Sequence, residues 1–225
     1  MDVGEAAEFW DREFAKTDTV IVGNGEAPAS PESLKLLKSG KRIVCCDGAF
    51  NKLMALGVFP DVIVGDGDSA DLSADLQEAR RHGIPFCQDT SQEYNDLQKA
   101  FRYCIANGYG RIALIGCAGL REDHFIANLS IMAMYSRNLE YVAMLTEHGL
   151  FNVFRKSATL DSSEGMQVSV FTKDPSIRLT FSGLKYKVEN RRFGWLWEGS
   201  LNESLGGKFT VESDSDLPFV VYRAK

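Results

Sequence analysis

Residues 61–71 read DVIVGDGDSAD, with two carboxylates, Asp66 and Asp68, one residue apart directly after an apolar run. Other acids occupy comparable places. Asp47 closes RIVCCD, Asp89, Glu93 and Asp96 lie between the short apolar run around IPFC and the next helical segment, and Asp123 follows RIALIGCAGLRE at the start of another. In an open α/β sheet, ligands bind beyond the carboxyl ends of the strands, so these acids would share one rim. Asp96 and Asp123 each suit a first helical turn, and Asp47 suits a turn, but an acid at every such edge calls for a common cause. Carboxylates crowded on one rim must be protonated or neutralised. Magnesium, which takes one or two carboxylates plus phosphate oxygens, is the economical neutraliser, and the expectation is a magnesium–nucleotide site. Backbone groups at Gly23-Asn24-Gly25, after the first apolar run, are candidates for phosphate contact.

Several other motifs compete for the same residues. GDGDSA at 65–70 satisfies the dinucleotide pattern G-x-G-x-x-A, with Asp89 roughly where a ribose-binding acid belongs. That motif holds a pyrophosphate directly on backbone N–H groups, and two carboxylates in the loop would repel it by roughly 4 kcal/mol per charge pair at about 4 Å and an effective dielectric near 20. A calcium loop fails because Asp71 stands where glycine is needed and Gln77 where glutamate is needed. No P-loop pattern occurs. An aspartyl-phosphate phosphatase, which also places D-x-D after a buried strand, stays open as a rival.

The elements that must position these acids follow from the apolar period. From residue 19 to about 148, wholly apolar runs (TVIVG, RIVCCD, DVIVGD, RIALIGC, LEYVAML) alternate with segments of helical period. That pattern predicts an α/β domain over 1–148 with a mainly parallel, doubly wound sheet. In NDLQKAFRYCIANG, Leu97, Ala100, Phe101, Cys104 and Ile105 fall on one helical face, and Asn95 with Gln98 resembles a capping box. Beyond about residue 150 the period falls to two in QVSVFTK, SIRLTFSGLKY, RFGWLWEG, KFTVES and FVVYRA, which predicts a small all-β sandwich over 149–225. On a strand, Phe193, Trp195 and Trp197 would share one face, as sandwich core or dimer surface.

The totals narrow the function classes. The chain has 225 residues and a formal net charge of −6, which argues against general nucleic-acid affinity. Five cysteines with no C-x-x-C spacing read as core thiols of a reducing cytosol. The N-terminus MDVGEAAEFWDREF lacks a signal pattern and no apolar run approaches a membrane span, so a cytoplasmic protein is expected.

In this order the residues resemble the thiamin pyrophosphokinase family over nearly the whole chain. The match runs through Asn24-Gly25, CCDGAF at 45–50, VGDGDS at 64–69, QEYND at 92–96, GLREDHFIAN at 119–128, GLKY at 183–186 and SLNE at 200–203. The resemblance implies an α/β domain followed by a β-sandwich, and transfer of a pyrophosphoryl group from ATP to the hydroxyl of thiamine, giving thiamine diphosphate and AMP. It also implies a homodimer with thiamine sites between one subunit's α/β domain and the other's sandwich. Asp66, Asp68 and Asp96 match the magnesium-binding, catalytic core, with Glu93 as a further ligand where the family usually has aspartate. Asp47 and Asp123 complete the rim. Asn24, Gly25, Arg121 and His124 fall beside the nucleotide, and Gln92, Tyr186, Ser200 and Asn202 match thiamine-contacting positions. Three departures stand out: Asn95 for threonine or serine, Leu120 for a glycine, and Leu201 for a serine. The implied mechanism is in-line attack on the β-phosphorus, with either Asp68 or Asp96 as the candidate proton acceptor. The rival readings are a metal-dependent phosphohydrolase and a non-catalytic sensing module.

Overall fold

The computed structural model describes residues 3–67 and 72–225, which form two compact units. One is Phe14–Glu147; the other joins His148–Lys225 to the N-terminal segment ending at Glu13. That segment belongs to helix α1 (Val3–Ala15).

The Phe14–Glu147 unit alternates strands and helices in the order β1 (Thr19–Val22), α2 (Pro31–Leu37), β2 (Arg42–Cys46), α3 (Phe50–Ala55), β3 (Val62–Gly65), α4 (Leu72–Arg81), β4 (Phe86–Gln88), α5 (Asp96–Ala106), β5 (Arg111–Ile115), α6 (Glu122–Tyr135) and β6 (Tyr141–Thr146). Its strands lie in the order β6-β5-β1-β2-β3-β4, and every pairing among them is parallel. The cause is visible in the composition: every residue of β1 and β3, and all but the first of β2 and β5, is buried, as strands covered on both faces require. Successive strands step from β1 out to β4, after which the chain returns to lay β5 on the other side of β1. The direction of winding therefore reverses between β1 and β5, and a crevice opens beyond their carboxyl ends.

Helix α5 starts where the sequence places it. Asn95 Oδ1 accepts the Gln98 N–H at 2.9 Å while Gln98 Oε1 accepts the Asn95 N–H at 3.2 Å, a reciprocal cap. Leu97, Ala100, Phe101 and Cys104 are buried, Ile105 is half-buried, and the helix lies against β1, β2 and β3. Cys45, Cys46, Cys104 and Cys117 are buried and none of the cysteines is in a disulfide. Burial pushes the thiols of Cys104 and Cys117 up to about 12, so both stay protonated core groups.

The other unit is a sandwich of two antiparallel sheets. Its strands are β7 (Gly149–Phe154), β8 (Ala158–Asp161), β9 (Gln167–Phe171), β10 (Arg178–Ser182), β11 (Val188–Arg192), β12 (Asn202–Glu203), β13 (Lys208–Ser213) and β14 (Phe219–Ala224). The sheets run β12-β9-β14-β7 and β11-β10-β13-β8. Alternate residues of β9, β10, β13 and β14 turn inward, so Val168, Val170, Leu179, Phe181, Phe209 and Val221 share one core.

The RFGWLWEG segment departs from the expected strand. Pairing stops at Arg192, Phe193 enters the core, and residues 196–199 form a 3₁₀ turn. Glu198 explains the change: one carboxylate oxygen accepts the N–H groups of Trp195, at 2.8 Å, and Gly194, which curls the chain. Trp195 and Trp197 are consequently 73% and 70% exposed, outside the sandwich core.

Helix α1 is held to this unit by one buried charge. Arg223 on β14 pairs with Glu13 at 3.1 Å, both side chains being at most 2% exposed, and also donates to Asn152 Oδ1 at 2.7 Å and to the Asp161 carbonyl at 2.9 Å. Its guanidinium sits 4.9 Å from the centre of the Phe9 ring. Glu13→Gln leaves a buried guanidinium with neutral acceptors, so stability should fall by about 3 kcal/mol. Urea denaturation should show a lower midpoint at unchanged slope; an unaltered midpoint would mean that the pair contributes nothing.

Candidate active site

Three carboxylates converge beyond the carboxyl ends of β2 and β3. Asp47, Asp66 and Asp96 each present an oxygen within 4.8 Å of the others. Asp47 follows β2 and is 5% exposed. Its Oδ1 accepts the Gly48 N–H at 2.7 Å and its Oδ2 the Gly67 N–H at 3.3 Å. The same carboxylate packs against Gly65, where any Cβ would overlap Asp47 Oδ2, so glycine at the end of β3 is a steric requirement. Asp66 is the next residue, and its carbonyl accepts from Gln88 at 2.9 Å. Asp96 opens α5, where the positive end of the helix dipole favours a carboxylate.

A lysine completes the group. Lys99, with 1% of its side chain exposed, places Nζ 2.6 Å from Asp66 Oδ2 and 3.8 Å from Asp96 Oδ1. Burial alone would lower this ammonium, but the hydrogen bond to Asp66 and the charges of Asp66, Asp96 and Asp89 outweigh it and hold Lys99 above the ordinary lysine range. Three carboxylates at this spacing repel by about 3 kcal/mol per pair at an effective dielectric near 20, less for Asp96, which is 41% exposed.

The donor set suits a hard divalent cation. All three ligand atoms are carboxylate oxygens, and their spread of 4.8 Å lies within a side-chain rotation of the about 4.2 Å that separates opposite ligands of magnesium. Glu93 is exposed and lies outside the group. Asp89 caps a turn, accepting the Ser91 N–H at 3.0 Å. Asp68 lies outside the described residues.

Asp96 also lines a cleft of about 570 Å³ at the β1/β5 reversal, together with Asn24, Gly25, Arg121, Asp123 and His124. Asp123 belongs to a separate pair: Arg121 grips it at 2.6 and 3.1 Å, and the His124 N–H donates to it at 3.0 Å. The Arg121 hydrogen bonds and charge hold the exposed Asp123 carboxyl below the usual carboxylate range.

The glycine loop differs from the expected phosphate cradle. The N–H groups of Gly23 and Gly25 donate to the carbonyls of Ile115 and Gly116 at 2.9 and 2.6 Å, so these two donors are committed to the loop after β5. Closeness demands glycine here: a Cβ on Gly25 would meet Ala118 O at 2.5 Å and Gly116 O at 2.6 Å. Lys52, on α3, donates to Asn24 O, Asn24 Oδ1 and Gly25 O at 3.0, 2.7 and 2.6 Å, clasping the loop from the other side. Desolvation lowers the Lys52 ammonium from its ordinary value. Asn128 on α6 secures the second loop, donating to Cys117 O at 2.9 Å.

The remaining candidates divide between the units. Gln92 is exposed in the loop before α5. In the sandwich, Tyr186 is 60% exposed, and Ser200 donates to Trp197 O at 2.6 Å. Asn202 is buried with its amide engaged: Oδ1 accepts the N–H groups of Tyr186 and Glu203, and Nδ2 donates to Tyr186 O at 2.8 Å. It thereby fixes the backbone that carries Tyr186. Leu201 adopts φ +59° and is 79% exposed.

A carboxylate cluster beyond a parallel sheet, beside a cleft at the point where strand order reverses, defines an α/β enzyme that handles a phosphorylated ligand with a divalent cation. Residues 34–143 match the thiamin pyrophosphokinase catalytic domain and residues 149–222 its substrate-binding domain. The chain belongs to the thiamin pyrophosphokinase family and is an ATP-dependent pyrophosphoryl transferase acting on thiamine. Its fold is that of the thiamine pyrophosphokinase from Bacillus subtilis (TM-score 0.77, 17% identity, 92% of this chain and 98% of that one). It is also that of the thiamin pyrophosphokinases from Candida albicans (0.75, 18%, 94% and 90%) and yeast (0.75, 13%, 95% and 89%). No curated protein matches in sequence.

Lys52→Met removes three hydrogen bonds that shape the Asn24–Gly25 loop beside the cleft while leaving the carboxylates in place. The KM for ATP should rise about tenfold, equivalent to roughly 1.4 kcal/mol, with kcat within a few-fold of wild type. Steady-state kinetics at varied ATP check this, and an unchanged KM would remove Lys52 from the binding machinery.

Proposed function

We propose that the Phe14–Glu147 unit binds magnesium-ATP and that Asp66, Asp68 and Asp96 are its catalytic carboxylates, with Asp47 supporting them. The convergence of Asp47, Asp66 and Asp96 within 4.8 Å, at the strand ends that border the cleft, carries this reading. Magnesium held by these carboxylates would supply the positive charge that polarises the phosphate oxygens during transfer. The protein's share is positional. Asn24 and Gly25, braced by Lys52 and by the loop after β5, form one side of the nucleotide cleft. Arg121 is tied to Asp123 and lines the same cleft, where its guanidinium would meet charge developing on the phosphates.

In the chemical step, the thiamine hydroxyl oxygen forms a bond to the β-phosphorus. The bond from that phosphorus to the α–β bridging oxygen breaks, and AMP leaves carrying the electron pair. A rim carboxylate takes the hydroxyl proton. Gln92, Tyr186 and Ser200 are the proposed thiamine contacts, with Asn202 holding Tyr186 in place. The exposed aromatic ring of Tyr186 offers a face for a cationic heterocycle. A homodimer is the proposed working form, consistent with the apolar surface of Trp195, Leu196, Trp197 and Leu201 on the sandwich unit. A cytoplasmic location accords with the reduced cysteines, and no described helix is long and apolar enough to cross a membrane.

The test is incubation with ATP, magnesium and thiamine, with mass detection of thiamine diphosphate and AMP in equal amounts. Asp66→Asn and Asp96→Asn should each lower turnover by at least about 100-fold, a loss of roughly 3 kcal/mol of transition-state stabilisation, while both variants remain folded. Near-normal activity in both would refute the assignment.

A further inference from the structure

Lys99 has a place in the site that the magnesium reading does not use. Its ammonium is buried, bonded to Asp66 at 2.6 Å and 3.8 Å from Asp96, and it cannot diffuse away. It springs from the same helix as Asp96, one turn on, and α5 is packed against β1, β2 and β3. Asp47, Asp66 and Asp96 bring three carboxylates together and Lys99 sets one ammonium against two of them. A metal entering beside these carboxylates would meet the lysine's charge at close range, least screened on the side of the buried ammonium and Asp66.

We propose that Lys99 is a positioning residue with a second effect: it is a built-in counter-cation that steadies Asp66 and Asp96 without metal and keeps the affinity for a divalent cation low enough for exchange. The inference rests on the proposed metal site and assigns to it a property that the carboxylates alone would lack. Three bare carboxylates would retain the ion between turnovers, whereas a permanent ammonium lets it arrive with the incoming phosphates and leave with the products. Lysine suits this task as a compact point charge on a long apolar stem that can be buried.

The experiment uses the full chain and manganese alone as the probe, titrated by electron paramagnetic resonance, with melting followed in EDTA and in saturating manganese. Lys99→Met, of similar length and without charge, should bind manganese about tenfold more tightly than the wild type. It should melt lower than the wild type in EDTA and recover most of that difference in manganese. Lys99→Arg, which keeps the charge, should remain near the wild-type affinity. A folded Lys99→Met with equal or weaker manganese affinity overturns the proposal. If Lys99→Met does not fold, Lys99→Gln carries the same comparison, and unchanged affinity there overturns it equally. Asp66→Asn separates the two layers of argument. Manganese binding that is present in the wild type, lost in Asp66→Asn and unchanged in the lysine variants sinks only the role given to Lys99. Absence of binding in both the wild type and Lys99→Met sinks the metal site together with it.

Discussion

Asp47, Asp66 and Asp96 repel one another, and the α/β unit holds each against that repulsion by a different means. Asp47 is pinned by two backbone N–H groups and fits only because residue 65 has no side chain. Asp66 is held by the ammonium of Lys99. Asp96 stands at the amino end of α5, where the helix dipole and the Asn95–Gln98 cap fix the first turn. The apolar face of Leu97, Ala100, Phe101 and Cys104 in turn fastens α5 to the sheet. Hydrophobic burial thus supplies the force, the strand ends and helix start supply the direction, and the electrostatics of the site follow.

Much of this was legible in the sequence because the signals were local. Continuous apolar runs against alternating ones separated the parallel sheet from the sandwich, and burial follows the same periods. Strand ends and a helix cap placed Asp47, Asp66 and Asp96 near one rim. What the sequence hid depends on distant partners. Lys99 sits at i+3 from Asp96, which hints at a pair on one helix face, but its bond to Asp66 spans 33 positions and a lysine is ordinarily read as solvated. Helix α1 carries its buried Phe9 and Trp10 in an acidic stretch, and its anchor, Arg223, lies at the other end of the chain.

Other differences arise where a side chain overrides the pattern. W-L-W at 195–197 has the alternation of a strand, yet Glu198 takes up the N–H groups that a strand would have paired. Asn202 matches a substrate-contact position, and its amide oxygen and nitrogen are both bonded to the backbone of Tyr186. Glu93 has the residue type of a ligand but is exposed, apart from the carboxylate group, in the loop before α5.

The lacing of Gly23 and Gly25 to Ile115 and Gly116, reinforced by Glu26 on Ala118, joins two connections that are far apart in the chain. Each is further tethered by a side chain from a neighbouring helix, Lys52 on one side and Asn128 on the other. A lip of this kind is braced before any guest arrives, so a triphosphate bound there, as proposed, would forfeit little chain freedom. Its rigidity also limits how far the opening can widen, which favours guests of one girth over bulkier ones.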